Sequence, residues 1–499
     1  MQTQILIDDV TLSLQADGVQ LAPDGYLLQG DQVVLMHPFG ATLFYRHGFH
    51  SWSFCSWIPL DRSLPRPSDG RFWPQIDHPV QFEDYPFVGS GVGALQAQNG
   101  KILLLGALDL DTRVRADRFT LSGQIQRPPA GPVGKHACWF LAYGDEEAVF
   151  ESYTSHLSQI YEIGRHDKAP RVWCSWYSMY TRITQEKLLS ALEVLRQAPF
   201  EVFQIDDGWQ VCMGDWEANE KFAAGMAALA EKIRQSGFTP GIWLAPFIVQ
   251  PKSSLIRLHP DWLLRDERGE WVVAGHNWGD VFYSLDVTHP DVQSWLKDLI
   301  MKVRSWGFSY LKLDFLYAAA LPGLRYQQLP DEQAYRMGLS VLRQAAGEAY
   351  VLVCGSPILA SLGLADAMRI GPDVAPYWQD ETRSNLLHDL TSPGTLNAIR
   401  TTIHRLWLRP LLHIDPDVVF IRERYNLLLP DQRQYLKDLA YITGFLATSD
   451  PLAWLDDQET RDLIQFLESH PHIIRLGRYL FQVDGRTVDF RFLEDKWRT

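Results

Sequence analysis

Two opposite charges stand two residues apart in the apolar run Tyr310-Leu311-Lys312-Leu313-Asp314-Phe315. On a strand, such residues share a face, so Lys312 and Asp314 project together, Asp314 nearer the C-terminal end. Charges facing inward on a buried strand are expensive unless paired or used; the stretch alone fits a structural Lys–Asp pair as well as a site. Other apolar runs also end in polar groups: Asp206, Asp207 and Trp209 after Val202–Gln204, and Arg369-Ile370-Gly371-Pro372-Asp373 after Ala367. Vicinal carboxylates, a lysine and an arginine hold hydroxyls by charge-assisted hydrogen bonds, and exposed indoles offer flat faces to C–H groups. Together they describe a sugar ligand. Cleaving a glycosidic bond takes two carboxyl groups, about 5–5.5 Å apart in a retaining enzyme, one as nucleophile and one as acid/base. Asp314 and Asp373 suit these roles, with Lys312 keeping Asp314 ionised and the charge of Asp314 raising the pKa of Asp373. On spacing alone, Asp206, Asp207, Asp366 and Asp380 are rivals.

These residues need elements that bring them together. From Arg171 onward, apolar runs alternate with amphipathic helices. The strands read as Val172–Tyr177, Val202–Gln204 running into Asp206, Gly241–Phe247, Tyr310–Phe315, Tyr350–Ser356 and Ala367–Asp373, then less sharply near Leu411–Ile414 and Ile442–Thr448. Leu188, Leu192 and Leu195 share a helix face, as do Met226, Leu229 and Ile233, and Val292, Leu296, Leu299 and Val303. Thr184 is placed as an N-cap, and Gly237 and Gly307 as C-terminal glycines. Eight such units indicate a (β/α)₈ barrel; an open doubly wound sheet is the alternative, and no Gly-rich phosphate loop follows the first strand to favour it. In such barrels the C-terminal strand ends line the site. Reading them in order gives Trp176 and Tyr177, then Asp206, Asp207 and Trp209, Trp243, Lys312 and Asp314, Cys354, Gly355 and Ser356, and Arg369 and Asp373. One contribution from each of six consecutive strands turns Lys312–Asp314 from a salt bridge into a site.

The chain reads as multidomain: an N-terminal antiparallel β-sandwich over 1–165, the barrel over 166–465 and a small C-terminal antiparallel β region over 466–499. Within the sandwich, Gly48-Phe49-His50-Ser51-Trp52-Ser53-Phe54 is aromatic and polar at once, suiting a loop that reaches a sugar or a partner, and equally plain loop packing. A net charge of −14 over 499 residues argues against nucleic acid or an anionic membrane as partner. Five scattered cysteines without a CxxC pair, no apolar leader in Met1 to Val10 and no membrane-length stretch indicate a cytoplasmic protein. His259, His276 and His289 have no metal-ligand spacing and read as surface or packing residues, and no G-x-S-x-G elbow is present. No metal and no cofactor is expected.

At this point the chain resembles the α-galactosidases of glycoside hydrolase family 36, in clan D, and its shorter bacterial subgroup. The resemblance runs from about Trp173 to Trp378 and is carried by Cys174-Ser175-Trp176-Tyr177, Ile205-Asp206-Asp207-Gly208-Trp209, Gly241-Ile242-Trp243-Leu244-Ala245-Pro246-Phe247, Lys312-Leu313-Asp314-Phe315, Cys354-Gly355-Ser356-Pro357 and Arg369-Ile370-Gly371-Pro372-Asp373. It implies retaining hydrolysis of terminal α-galactosyl groups from small oligosaccharides of the melibiose and raffinose type. It also implies Asp314 as nucleophile, Asp373 as acid/base and Asp206-Asp207 as binders of the galactose O4 and O6 hydroxyls. Lys312 corresponds to a hydroxyl-binding lysine and Arg369 to an arginine near O2; Trp243 and Tyr177 correspond to subsite walls, with Cys354 and Gly355 near O2. Longer members carry a Trp-x-Ser-Asp acid/base motif where this chain has Ile-Gly-Pro-Asp. An α-N-acetylgalactosaminidase or a galactosyl transferase of the same fold fits the same motifs, and a non-catalytic sugar-binding protein would lack one of the two carboxylates. Oligomeric state is unassigned.

Overall fold

Short apolar runs with no polar face suit a parallel sheet covered on both sides. In the computed structural model, which describes residues 2–7, 10–40, 42–83, 85–126, 137–164 and 168–495, eight of them pair in this way. They are Val172–Cys174 (β1), Val202–Ile205 (β2), Thr239–Leu244 (β3), Tyr310–Leu313 (β4), Tyr350–Val353 (β5), Ala367–Arg369 (β6), His413–Asp415 (β7) and Ala447–Thr448 (β8). They lie in the order β7-β6-β5-β4-β3-β2-β1-β8, all parallel. A parallel bridge between Val419, just past β7, and Thr448 of β8 joins the two ends. The result is the expected barrel.

The helices between strands bury the faces their periodicity marks. Gln185–Leu195 covers Leu188, Leu192 and Leu195, and Thr184 Oγ1 caps it by accepting from Lys187 N. Pro290–Ser305 buries Val292, Leu296, Leu299, Ile300 and Val303 and ends two residues before Gly307, whose positive φ turns the chain toward β4. Most strands are shorter than the sequence suggests, β1 and β8 for reasons of local structure. β1 stops at Cys174, because Ser175 takes helical dihedrals and Trp176–Met179 forms one helical turn. Ile442 belongs to the helix Pro430–Thr443, on its buried face with Leu436 and Leu439; a short apolar run cannot by itself distinguish a helix face from a strand. Between β3 and β4 the chain makes an excursion into a three-stranded sheet of Ile248–Val249, Val273–Asn277 and Asp280–Ser284.

Ahead of the barrel, the described residues form two antiparallel sheets of six and seven strands. Their facing sides bury Leu12, Leu14, Leu28, Val33, Leu35, Leu103, Leu105, Leu121 and Trp139, the N-terminal core of the expected sandwich. After the barrel, Ile473–Arg475, Leu480–Val483 and Arg486–Asp489 form a small antiparallel sheet. Asp484 and Gly485 both take positive φ, +48° and +78°, which a two-residue hairpin with matching twist requires. The expected sandwich–barrel boundary at 165/166 lies outside the described residues, as do Met1, Asp8 and Asp9 of the amino terminus. No described helix is long and apolar enough to cross a membrane.

Candidate active site

Asp206 and Asp207 follow β2 where the ladder ends. Ser175 Oγ accepts the Asp206 amide at 2.9 Å, while Asp206 Oδ2 accepts from Gln204 Nε2 at 2.7 Å and from Lys312 Nζ at 2.9 Å. Its Oδ1 accepts the Asp207 amide at 2.9 Å. Asp207 in turn accepts from Gln210 Nε2 at 2.6 Å and from the Trp278 indole at 2.7 Å. Burial pushes the Asp207 carboxyl above its usual range, those two donors pull it back, and the neighbouring charge of Asp206 adds to the rise. Trp278 was not expected from the sequence. It stands at φ +55° in the turn between Val273–Asn277 and Asp280–Ser284, so the excursion after β3 delivers an indole to the barrel mouth.

Lys312 and Asp314 share the inner face, but they do not form the ion pair that their spacing suggests. Lys312 Nζ bonds to Asp206 instead. Burial alone would lower the pKa of Lys312; the Asp206 carboxylate overcomes that and holds it well above the usual value. Asp314 draws its donors elsewhere. The Trp243 indole donates to Oδ2 at 2.9 Å and the Phe315 amide to Oδ1 at 2.8 Å, and the Asp314 amide extends the β3–β4 ladder by donating to Leu244 O at 2.8 Å. Trp243 lies level with Lys312 in the neighbouring strand, so one strand pair sets both side chains. The next residue, Phe315, turns through φ +53°, which ends the strand beneath Asp314.

Arg369 ends β6 and faces Asp373 four residues on, with Nη1 3.3 Å from Asp373 Oδ1. Two carboxylates not anticipated from the sequence also hold it: Asp415 Oδ2 at 3.0 Å from Nε, and Asp417 Oδ2 at 2.8 Å from the same Nη1 that faces Asp373. The strand-end rule applied to β7, which closes on Asp415-Pro416-Asp417, is the signal that finds them. Burial opposes the charge of Arg369, yet Asp415 and Asp417 raise its pKa well above normal. The hydroxyl of Tyr177 donates to Asp417. Burial raises the Asp373 carboxyl; Arg369 and Lys312 pull it down, and Asp314 and Asp206 push it up. The expected direction is there, with burial rather than Asp314 as its main cause.

Asp206, Asp207, Trp243, Lys312, Asp314 and Asp373, together with Trp176, line one cavity of about 320 Å³, near the lower end of the roughly 300–1,000 Å³ of small-molecule sites. Arg369, Tyr177, Cys354 and Gly355 stand behind that lining rather than on it. Trp209 is buried beneath, donating to Trp243 O at 3.0 Å. Cys354 and Gly355 instead shape the loop after β5: Gly355 sits at φ +54°, and a side chain there would come within 3.1 Å of the Trp52 ring. His276, read from the sequence as a packing or surface residue, lines the cavity, whereas His259 stacks on Trp262 and His289 caps a helix. The sandwich contributes as well: Trp52, Phe72, Gln75 and Ile76 form part of the wall. The Gly48–Ser53 loop packs through the buried Phe49 and His50 and presents Trp52 to the cavity. Among the described residues, no group of three or more His, Cys, Asp or Glu is arranged to hold a metal ion.

The Melibiase family model matches residues 147–344. TtGalA, an α-galactosidase from Thermus thermophilus, is 47% identical in its complex with p-nitrophenyl α-D-galactopyranoside, with a TM-score of 0.92 over 99% of this chain and 100% of that one. Its complex with stachyose aligns with a TM-score of 0.88 at 48% identity, over 94% of this chain and 99% of that one. The α-galactosidase AgaA of Geobacillus stearothermophilus is 28% identical over 217 residues, 39% of this chain but only 28% of that protein's length. As a solved GH36 structure, AgaA shares the fold at 15% identity, with a TM-score of 0.60 over 92% of this chain and 67% of that one.

Proposed function

The chain belongs to the α-galactosidases of glycoside hydrolase family 36, and from that premise we propose that it hydrolyses terminal α-linked galactose from small oligosaccharides, of the melibiose and raffinose type, by retaining double displacement. The supporting observation is the contrast between two carboxyl groups on one cavity. Asp314 accepts an N–H on each oxygen, while Asp373 is held toward its protonated form. A carboxyl held toward its protonated form facing one fixed by two N–H donors suits a division of the acid and nucleophile roles between them. Asp314 attacks the anomeric carbon and forms a galactosyl ester; Asp373 protonates the departing oxygen, then takes the proton from the incoming water.

Asp206 and Asp207 bind O4 and O6, with Lys312 donating to the same hydroxyls. An axial O4 satisfies this carboxylate pair, whereas the equatorial O4 of a glucoside leaves it short of a partner, and sites built to bind a hydroxyl discriminate strongly. Trp243 and Trp176 give walls to the sugar, and Tyr177, Arg369, Cys354 and Gly355 shape the O2 side from behind the lining. A cytoplasmic location suits the buried thiols of Cys55, Cys174, Cys212 and Cys354.

The test is a panel of nitrophenyl α-glycosides, with NMR of the first sugar anomer released. Preferential release of α-galactose is expected. A β-anomer first would mean inversion, and a preference for another glycoside would remove the substrate assignment.

A further inference from the structure

Behind Asp373 lies a buried carboxylate that the reaction as written does not use. Asp417 Oδ2 accepts from three parts of the barrel: the Val374 amide at 3.0 Å, Arg369 Nη1 at 2.8 Å and the Tyr177 hydroxyl. Val374 directly follows Asp373, so the first of these bonds fixes the loop that carries the carboxyl. Arg369 is shared, its Nη1 contacting Asp417, Asp373 and the Tyr177 oxygen. Asp417 is fully shielded on its side chain, and its backbone stands at φ +82°, a region a non-glycine residue enters at a cost. Its amide bonds Asp415 Oδ1 at 2.8 Å, and its Oδ1 accepts the Val418 amide at 2.7 Å, which holds that conformation in place. Strain maintained by such a set of bonds is a pointer to function.

We propose that Asp417 is a positioning residue for Asp373, anchoring its loop through the Val374 amide and taking up the charge of Arg369 so that the acid/base can keep its proton.

The charge logic follows from the neighbours. A guanidinium 3.3 Å from a carboxyl favours the ionised form, which is wrong for a general acid. Asp415, which ends β7, and Asp417, just beyond it, balance that guanidinium. The other groups acting on Asp373 are Lys312 and Asp314 from β4 and Asp206 from β2. Burial, with a smaller contribution from the charge of Asp373, raises the pKa values of Tyr177 and Tyr180 beyond β1, Cys354 after β5 and Tyr377 on its own loop, so they face it uncharged. Arg369 and Lys312 are thus the cations in the set, and Arg369 is the one in contact. Asp417 itself is pushed up to about 7, by burial first, with Arg369 opposing and Asp373 and Asp415 adding; its proton and that of Asp373 are linked through the arginine they share.

The inference rests on Asp373 being the acid/base, and the experiment separates the two. Asp417→Asn keeps the shape and removes the charge. Its kcat/KM for melibiose, whose leaving group needs a proton, is expected to fall roughly 10- to 100-fold, with a much smaller loss for p-nitrophenyl α-galactoside. The alkaline limb of the melibiose pH profile should move to lower pH by about one unit. Asp415→Asn, which frees the other edge of Arg369 without touching the Val374 amide, is expected to move the same limb the same way with a smaller loss, and it carries the charge argument if Asp417→Asn does not fold. Equal losses on the two substrates with an unmoved limb, or an unmoved limb in Asp415→Asn, would overturn the proposal. Asp373→Ala runs beside them: if it too loses both substrates equally, the acid/base assignment has failed and not merely the role of Asp417.

Discussion

Asp314 shows how much a short stretch of sequence specifies about one residue and where that stops. The two-residue spacing places Lys312 and Asp314 on one face, but face does not determine partner. The lysine's four-carbon stem carries its charge across β3 to Asp206, and the donors to Asp314 come from the Trp243 indole and the next amide. In the nucleophile role proposed for it, a carboxylate held by two N–H groups is fixed in direction, which is what in-line attack on an anomeric carbon needs. Replacing it by alanine leaves the Trp243 N–H without its partner but removes no large buried apolar volume, so Asp314→Ala is expected to fold and to lose nearly all turnover. Circular dichroism and hydrolysis of p-nitrophenyl α-galactoside check both halves. Azide can replace a missing carboxylate at the anomeric carbon, so rescue by azide that yields β-galactosyl azide is the expected signature; near-native turnover without azide would remove the assignment.

At the scale of elements, the site is an assembly of strand ends and the loops just past them, and legibility follows burial. β2 and β4 are buried at every position, so their runs and terminal carboxylates stand out in the sequence. β7 and β8 are short and lie beside helical apolar runs, which is why Asp415 and Asp417 were not singled out. Trp278 sits in a polar hairpin with no periodicity to mark it, and its partner Asp207 is 71 residues away. Arg405 was equally hidden, though it ties two elements of the site together. Fully buried, it donates to Gly48 O, His50 O and Ser53 O of the sandwich loop, at 3.0–3.3 Å, and to Ile370 O of the Asp373 loop at 2.8 Å. A planar five-donor fork meets that many carbonyls and a lysine does not. Arg405→Lys is expected to cost about 1–3 kcal/mol for the acceptors left unmet, read as a lower denaturant midpoint. KM should rise more than kcat falls, since Trp52 loses its support while Asp314 keeps its own. An unchanged KM would show that the loop holds its place without the arginine.

Across the whole molecule, the sandwich is bound to the barrel by contacts that do more than join two domains. Its Trp52, Phe72, Gln75 and Ile76 complete the cavity wall, so anything that loosens the junction reaches the substrate. The junction contains a pair of buried carboxyls. Asp111, held at φ +60° in the sandwich, and Glu332, in the first turn of the barrel helix Asp331–Ala346, exchange bonds between each side chain and the other's backbone amide. Beside them Asp331 is paired with His78 and Arg325. Burial raises both carboxyls, Asp111 to about 7 and Glu332 to about 8; each accepted amide pulls its carboxyl back, the charge of Asp331 adds to both rises, and that of Asp111 adds to the rise of Glu332. A carboxyl whose pKa is higher folded than unfolded contributes stability that is fully present below its unfolded pKa, near 4, and lost as pH rises through the folded value. The junction is therefore expected to weaken from about pH 4 up to about pH 8, by an amount on the order of a few kcal/mol, and to change little above that. Asp207, Asp373 and Asp417 titrate with the same sign, so the wild-type slope alone does not identify its source, but a variant difference does. Asp111→Asn keeps the acceptor for the Glu332 amide and removes one ionisable group. Its denaturant midpoint is expected to match or fall slightly below the wild type at pH 5 and to exceed it at pH 9, with KM rising less over that range. Parallel pH dependences for variant and wild type would place the alkaline loss elsewhere and leave the junction indifferent to pH.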